Sequence, residues 1–192
     1  IPTVLIYNKI DLYKTNEQKA ELAHWQSIYR LAGYQQIELS AEKKTGIDQL
    51  KELMKGRTSI FSGHSGVGKS TLVNSLDENF KLRVNEISDY HKTGKHTTTF
   101  AELFELPFGG KIIDTPGIKG FGTVDLENEV LSHYFPEMRS KMERCKFNNC
   151  VHINEPKCAV KEALDKGEIA KERYDSYLSM YHDDEREHHR AK

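Results

Sequence analysis

Residues 63–70 read Gly63-His64-Ser65-Gly66-Val67-Gly68-Lys69-Ser70, and no other stretch leaves the chain so few ways to fold. Every fixed position of G-x-x-x-x-G-K-[ST] is filled, by Gly63, Gly68, Lys69 and Ser70. Glycines let the backbone curl until its N–H groups point inward at a β-phosphate. The N-terminus of the next helix adds the positive end of its dipole. His64 to Val67 form the wall of this loop, Lys69 reaches the β- and γ-phosphates, and Ser70, followed by Thr71, brings a hydroxyl to Mg²⁺. The motif requires a strand before it and a helix after it. Residues 58–61 and 69–76 supply both patterns. The rival reading, a tight glycine turn with a capping serine, does not account for the complete match.

The rest of the chain alternates in the same way. Residues 3–7, 36–39, 58–61, 100–106 and 111–113 read as strands, the last two on either side of the Pro107-Phe108-Gly109-Gly110 turn. Residues 16–32, with Leu22, Trp25, Ile28 and Tyr29 at helical spacing, read as a helix, as do 46–54 and 69–76. Strands alternating with helices predict an α/β fold with a parallel sheet. From about residue 126 no strand pattern remains, which places a boundary near 123–126 between an α/β domain (1–125) and a helical C-terminal domain (126–192). One helix is predicted over 158–180, and the charged end HDDEREHHRAK is expected to fray.

The first strand runs into Asn8-Lys9-Ile10-Asp11. Alone, such a tetrapeptide is a weak signal and fits a turn with a capping Asp. Its position after an apolar strand puts it at the carboxyl edge of the sheet, where ligands bind. The second strand ends in Ser40-Ala41, a companion loop for the guanine O6. The Asp11 carboxylate can accept from both N1–H and N2–H of guanine. Adenine offers no such pair and would leave a buried carboxylate unsatisfied, at a cost of ~1–3 kcal/mol. The expected ligand is therefore GTP or GDP. Asn8 either reaches N7 or orients the loop, and the Lys9 stem covers the base.

Two segments read as switches. Asp114-Thr115-Pro116-Gly117 follows a strand; Asp114 would hold Mg²⁺ through water and the Gly117 N–H would meet the γ-phosphate. Residues 94–100, GKHTTTF, offer Thr98 to the Mg²⁺ shell, with Thr97 and Thr99 as neighbouring candidates. Ile118 follows Gly117, where Ras-like enzymes place a glutamine that orients the attacking water. His96 is the alternative catalytic group, since a near-neutral imidazole can orient or activate water; its other reading is an exposed or partner-contacting loop residue. Gly66 stands where potassium-dependent relatives carry Asn, so nothing argues for K⁺ activation.

All three cysteines fall in one short segment, Cys145-x4-Cys150-x-His152-x5-Cys158. That is a closed Cys₃His set suited to structural tetrahedral Zn²⁺, with no open position for catalysis. Downstream, Lys161, Lys166, Lys171 and Arg173 alternate with acids, the pattern of a solvated helix face, with rRNA contact as the alternative. The formal net charge of −1 gives no overall pull toward nucleic acid, although a local basic face remains compatible with it. No stretch approaches ~18 apolar residues and no lipidation motif is present. No secretory signal opens the chain, so the expected location is the cytoplasm and no membrane partner is expected.

The motifs run base loop, Ser-Ala loop, phosphate loop, Thr switch, Asp-Thr-Pro-Gly. This is the usual order of a P-loop GTPase cut and rejoined, which is tolerated when the original termini lie close together. The order, with SGVGKS, KHTTT, DTPG and the Cys/His cluster, resembles the ribosome small subunit-dependent GTPase family (RsgA, also called YjeQ or YloQ). That resemblance implies a circularly permuted GTPase domain with a zinc-binding C-terminal domain. It also implies Mg²⁺-dependent hydrolysis of GTP stimulated by the small ribosomal subunit, late in its maturation, with rRNA contact and a monomeric state. The family is similar in carrying a hydrophobic residue at the Ile118 position and a histidine at the His96 position, which favours the catalytic reading of His96. It also carries an N-terminal OB-fold domain, and a Ras-like sheet has a further strand in mid-sheet. Neither appears in this sequence, so the chain is expected to be a piece of a longer protein.

Overall fold

The strand–loop–helix around the phosphate loop forms where its motif demands. In the computed structural model, which describes residues 1–77, 79–80, 102–114 and 127–190, β3 (Thr58–Ile60) leads into the loop and α3 (Lys69–Leu76) leaves it. Gly68, at φ +95°, turns the chain into α3, a conformation that costs an L side chain about 1–2 kcal/mol.

β3 pairs in parallel with β5 (Lys111–Asp114), with Thr58 opposite Lys111 and Ile60 opposite Ile113. β4 (Glu102–Glu105) pairs with the other side of β5, antiparallel, with Glu102 opposite Asp114 and Glu105 opposite Lys111. The sheet is therefore mixed rather than parallel. The cause is the short connection: Gly109 N–H donates to Leu106 O at 3.0 Å and Leu106 N–H to Gly110 O at 2.8 Å. So tight a turn closes only a hairpin, since a parallel pair needs a crossover of a dozen or more residues.

β1 (Val4–Tyr7) and β2 (Gln35–Glu38) form a second, two-stranded sheet. No ladder joins it to β3–β5–β4 among the described residues. Both sheets nevertheless serve one core. Ile37, Leu39, Leu72, Phe104 and Ile112 are buried together, with Val4 and Ile6 packed against them. α2 (Ile47–Met54) adds Ile47, Leu50 and Met54 to that core. Gly46 before it must be glycine, because a Cβ there would sit 2.6 Å from the Glu38 carbonyl.

By contacts the chain divides into two units. One holds Val4–Lys14 and the described residues from 36 to 114; the other holds Ile1–Thr3, Thr15–Gln35 and the described residues from 127 onward. α1 (Asn16–Leu31) thus groups with the C-terminal helices. It starts at a capping box in which Thr15 Oγ1 accepts from Gln18 N–H at 3.2 Å and Thr15 N–H donates to Gln18 Oε1 at 3.1 Å.

The C-terminal helices are α4 (Asn128–Leu131), α5 (Pro136–Arg139), α6 (Ala159–Asp165) and α7 (Lys171–Arg190). Leu131, Met138, Val160, Ile169 and Tyr177 form their core. No strand occurs among the described residues here. The single helix predicted over 158–180 is two helices. Gly167, at φ +72°, ends the first, with its N–H on Leu164 O and that of Glu168 on Ala163 O. The backbone stays helical to Arg190, where the sequence predicts fraying.

Candidate nucleotide site and metal centre

β1 delivers the chain to Asn8, and Lys9 takes a left-handed φ of 65°. A 3₁₀ turn, Ile10–Leu12, then closes the loop. Both polar ends of the Asn8 side chain are engaged. Its Oδ1 accepts from the Lys9 and Ala41 N–H groups at 2.8 and 3.1 Å, and its Nδ2 donates to Val67 O at 3.0 Å. Lys9 Nζ donates to Gly66 O at 2.5 Å. Asn8 and Lys9 therefore tie together the base loop, the Ser40-Ala41 loop and the phosphate loop. Of the two roles left open for Asn8 by the sequence, its contacts here are those of loop orientation.

Ser40 is 1% exposed. It exchanges backbone hydrogen bonds with Thr45 at 3.0 Å, and its Oγ accepts from Lys43 N–H at 3.1 Å. Asp11 differs from these neighbours. Its Oδ1 is buried and has no hydrogen-bond partner among the described residues. A carboxylate oxygen so placed fits a ligand that brings N–H donors, as the N1–H and N2–H edge of guanine does.

In the phosphate loop, Gly63, Gly66 and Gly68 all have positive φ. A Cβ on Gly68 would lie 2.5 Å from Asn8 Nδ2, so the approach of the base loop also requires this glycine. Lys69 Nζ donates to Gly63 O at 2.5 Å and His64 O at 2.8 Å. Ser65 lies in the loop, and Ser70 and Thr71 begin α3, exposed. Asp114 is the last residue of β5. Because β5 runs parallel beside β3, Asp114 leaves the same carboxyl edge as the phosphate loop. His96, Thr97, Thr98, Thr99, Gly117 and Ile118 lie outside the described residues.

The second constellation is the cysteine cluster. His152 Nδ1 stands 3.7, 3.4 and 3.3 Å from the Sγ atoms of Cys145, Cys150 and Cys158. All four ligand atoms lie within 4.8 Å of one another. Tetrahedral Zn²⁺ with Zn–S about 2.3 Å and Zn–N about 2.0–2.1 Å sets N···S near 3.5 Å, so the donor set fits zinc. Burial pushes the Cys150 thiol up to about 12 and raises Cys158 as well; it lowers His152, which favours the neutral imidazole that a metal needs.

Three supports of this loop carry no sequence motif. Glu155 accepts from the Val151, Ile153 and Asn154 N–H groups at 2.8, 2.9 and 3.1 Å. Burial alone would raise its pKa, but these donors more than cancel it and hold the carboxylate below its ordinary range. Tyr174 donates to His152 O at 2.6 Å and Tyr177 to Val151 O at 2.5 Å. The only sequence hint is the i, i+3, i+7 spacing of Tyr174, Tyr177 and Tyr181. The four basic residues read as a solvated face also divide. Lys171 pairs with Asp175 on the surface and Lys161 donates to Ile153 O, whereas the Arg173 side chain is only 14% exposed.

A base loop ahead of its phosphate loop, the two tied by one asparagine on an α/β core, defines a circularly permuted P-loop GTPase domain. In this chain a helical unit with a Cys₃His centre follows it. The RsgA GTPase family model matches residues 1–124, and the chain belongs to that family.

A small ribosomal subunit biogenesis GTPase RsgA of Christiangramia forsetii is 50% identical over 185 residues, 96% of this chain and 58% of that protein. The crystal structure of YjeQ from Thermotoga maritima is similar with a TM-score of 0.80 at 38% identity, over 95% of this chain and 59% of that one. The crystal structure of YloQ, a circularly permuted GTPase, gives a TM-score of 0.74 at 30% identity, over 94% of this chain and 56% of that one. The chain therefore spans little more than half the length of these relatives. No helix among the described residues is long and apolar enough to cross a membrane.

Proposed function

We propose that the protein carrying this chain is a Mg²⁺-dependent GTPase that hydrolyses GTP to GDP and phosphate during late maturation of the small ribosomal subunit, stimulated by that subunit. The observation that carries this reading is the unpartnered Asp11 Oδ1 beside loops that Asn8 and Lys9 have already drawn together. The strong similarity to a protein named small ribosomal subunit biogenesis GTPase supports the choice of partner. Asp11 reads the guanine edge, Ser40-Ala41 meets its O6, and residues 63–71 hold the phosphates. Lys69 leaves the Gly63 and His64 carbonyls for the β- and γ-phosphates. Ser70, Thr98 and Asp114 would hold Mg²⁺, which supplies positive charge against that developing on the transferred phosphoryl group. Gly117 donates to the γ-phosphate, and His96 orients or activates the attacking water. Cys145, Cys150, His152 and Cys158 would hold Zn²⁺ as a structural ion, shaping the surface of domain 126–192 that contacts rRNA, while 1–125 carries the nucleotide. The protein works in the cytoplasm, as a monomer.

The test is GTP turnover by full-length protein with and without purified small subunits, for wild type and His96→Ala. The expected result is strong stimulation of the wild type and a variant that binds GTP yet stays slow. Normal stimulation of the variant would remove His96 from the chemistry. No stimulation of either protein would remove the ribosomal partner.

A further inference from the structure

Phe147 lies in the metal loop between two of its cysteines, Cys145 and Cys150, and both of those pack into the core of the helical unit. Phe147 does not join that core and is 38% exposed. A ring left in water forgoes the stabilisation that burial would bring. A loop closed by a structural metal does not need the ring for its own stability, so its place points outward, to a partner.

The ring is fixed in position by its own backbone. Cys150 N–H donates to Phe147 O at 3.3 Å and closes a turn over these four residues. Lys146 N–H donates to Lys157 O at 3.3 Å, which sets the two lysines side by side. Lys146 Nζ stands over the Phe147 ring, 5.1 Å from its centre. Lys146, Lys157 and Arg144 are all exposed, as are Asn148 and Asn149 just beyond the ring. From Arg144 to Cys158 the one carboxylate is Glu155, and it is turned onto the Val151, Ile153 and Asn154 N–H groups. Even with three thiolates set against Zn²⁺, the loop stays net positive.

An aromatic face beside cations suits an unpaired base. The base stacks on the ring whatever its identity, and the cations meet the phosphates on either side. Exposed amides add bonds to base edges or to a 2′-hydroxyl. A protein partner calls for a different surface, since lysine is depleted from the cores of protein interfaces. We propose that Phe147 is a stacking platform for one unpaired base of RNA, with Lys146 and Lys157 on the flanking phosphates. This rests on the ribosomal reading above and deepens it, because it names the side chain through which the C-terminal unit meets rRNA.

The experiment uses zinc-loaded full-length protein, purified small subunits and a non-hydrolysable GTP analogue. Affinity is measured at several salt concentrations for wild type, Phe147→Ala, Phe147→Leu, Phe147→Trp and the double variant Lys146→Gln with Lys157→Gln. Ultraviolet crosslinking of the wild-type complex, read by mass spectrometry, locates the contact. Phe147→Ala and Phe147→Leu should each bind about tenfold more weakly at full zinc content. Phe147→Trp should bind at least as tightly as wild type. The slope of log affinity against log salt should hold in the Phe147 variants and become shallower by about 1.4 in the lysine double variant. The peptide carrying Phe147 should bear a nucleotide adduct. Wild-type affinity in Phe147→Ala would overturn the inference. So would wild-type affinity in Phe147→Leu with the peptide crosslinked to a ribosomal protein, since the ring would then be an apolar protein contact. Failure of the wild type to bind small subunits at all would instead overturn the ribosomal reading, and this inference with it.

Discussion

Because Asn8 is occupied on both sides by backbone groups, the proposed GTPase reading leaves discrimination of the base to Asp11. On the proposed reading the carboxylate would accept two hydrogen bonds from guanine, each worth about 1.5–3 kcal/mol where one partner is charged. Asp11→Asn replaces one accepting oxygen by an NH₂ donor facing the N2 amino group. GDP affinity should drop about a hundredfold or more, while XDP, which carries a carbonyl at that position, should gain. Calorimetry of the two diphosphates would check this, and equal losses for both would argue that Asp11 only shapes the loop. The sequence offers this residue as a candidate, because reading guanine needs a carboxylate at that spacing after a strand. It offers no such signal for Glu155, Tyr174 and Tyr177. They bond to backbone, and any fold that brings an acceptor or donor near a carbonyl or N–H can use them, so no spacing announces them.

The metal loop shows how an element is held from outside itself. His152 and Lys157 both have left-handed φ, 62° and 57°, without being glycine, and such residues persist only where surroundings over-determine them. The tyrosine hydroxyls of α7 supply part of that determination. Tyr177→Phe removes the bond to Val151 O and leaves that carbonyl unsatisfied, at a cost of about 1–3 kcal/mol. Zinc should be lost to a chelator faster than from wild type, and an unchanged transfer rate would place the restraint elsewhere. Zinc uptake should also depend on pH. Burial holds Cys150 and Cys158 protonated at neutral pH, and both protons must leave when the metal binds. The sign follows: affinity rises with pH, by about a hundredfold per unit from these two thiols around pH 7. His152, already neutral there through its lowered pKa, contributes a loss only on the acid side. Competition with a colorimetric chelator at several pH values would measure the slope. A flat profile would mean that the thiols are ionised before the metal arrives.

At the scale of the molecule, order along the chain and membership of a packed unit part company. The strand and helix pattern located β1 through β5 and α1 through α3 to within a few residues, because hydrophobic periodicity is local. It could not tell which core a helix serves. α1 lies between β1 and β2 in sequence, yet its contacts group it with the C-terminal helices. The reason is carried by Tyr29, Tyr34 and His24, whose partners Arg173 and Glu172 lie far along the chain. Among the described residues the two hydrophobic clusters share none, so they should lose protection separately. Removal of zinc by a chelator should raise amide exchange across α6 and α7 and also across α1, while α2, α3 and β5 keep theirs. Hydrogen-exchange mass spectrometry resolves these segments. If α1 kept its protection while α7 lost it, the contacts around Arg173 would be too weak to make one cooperative unit, and the helix would belong with the sheet it adjoins in sequence. If β5 and α3 opened along with α7, the two cores would be one folding unit despite their separate packing.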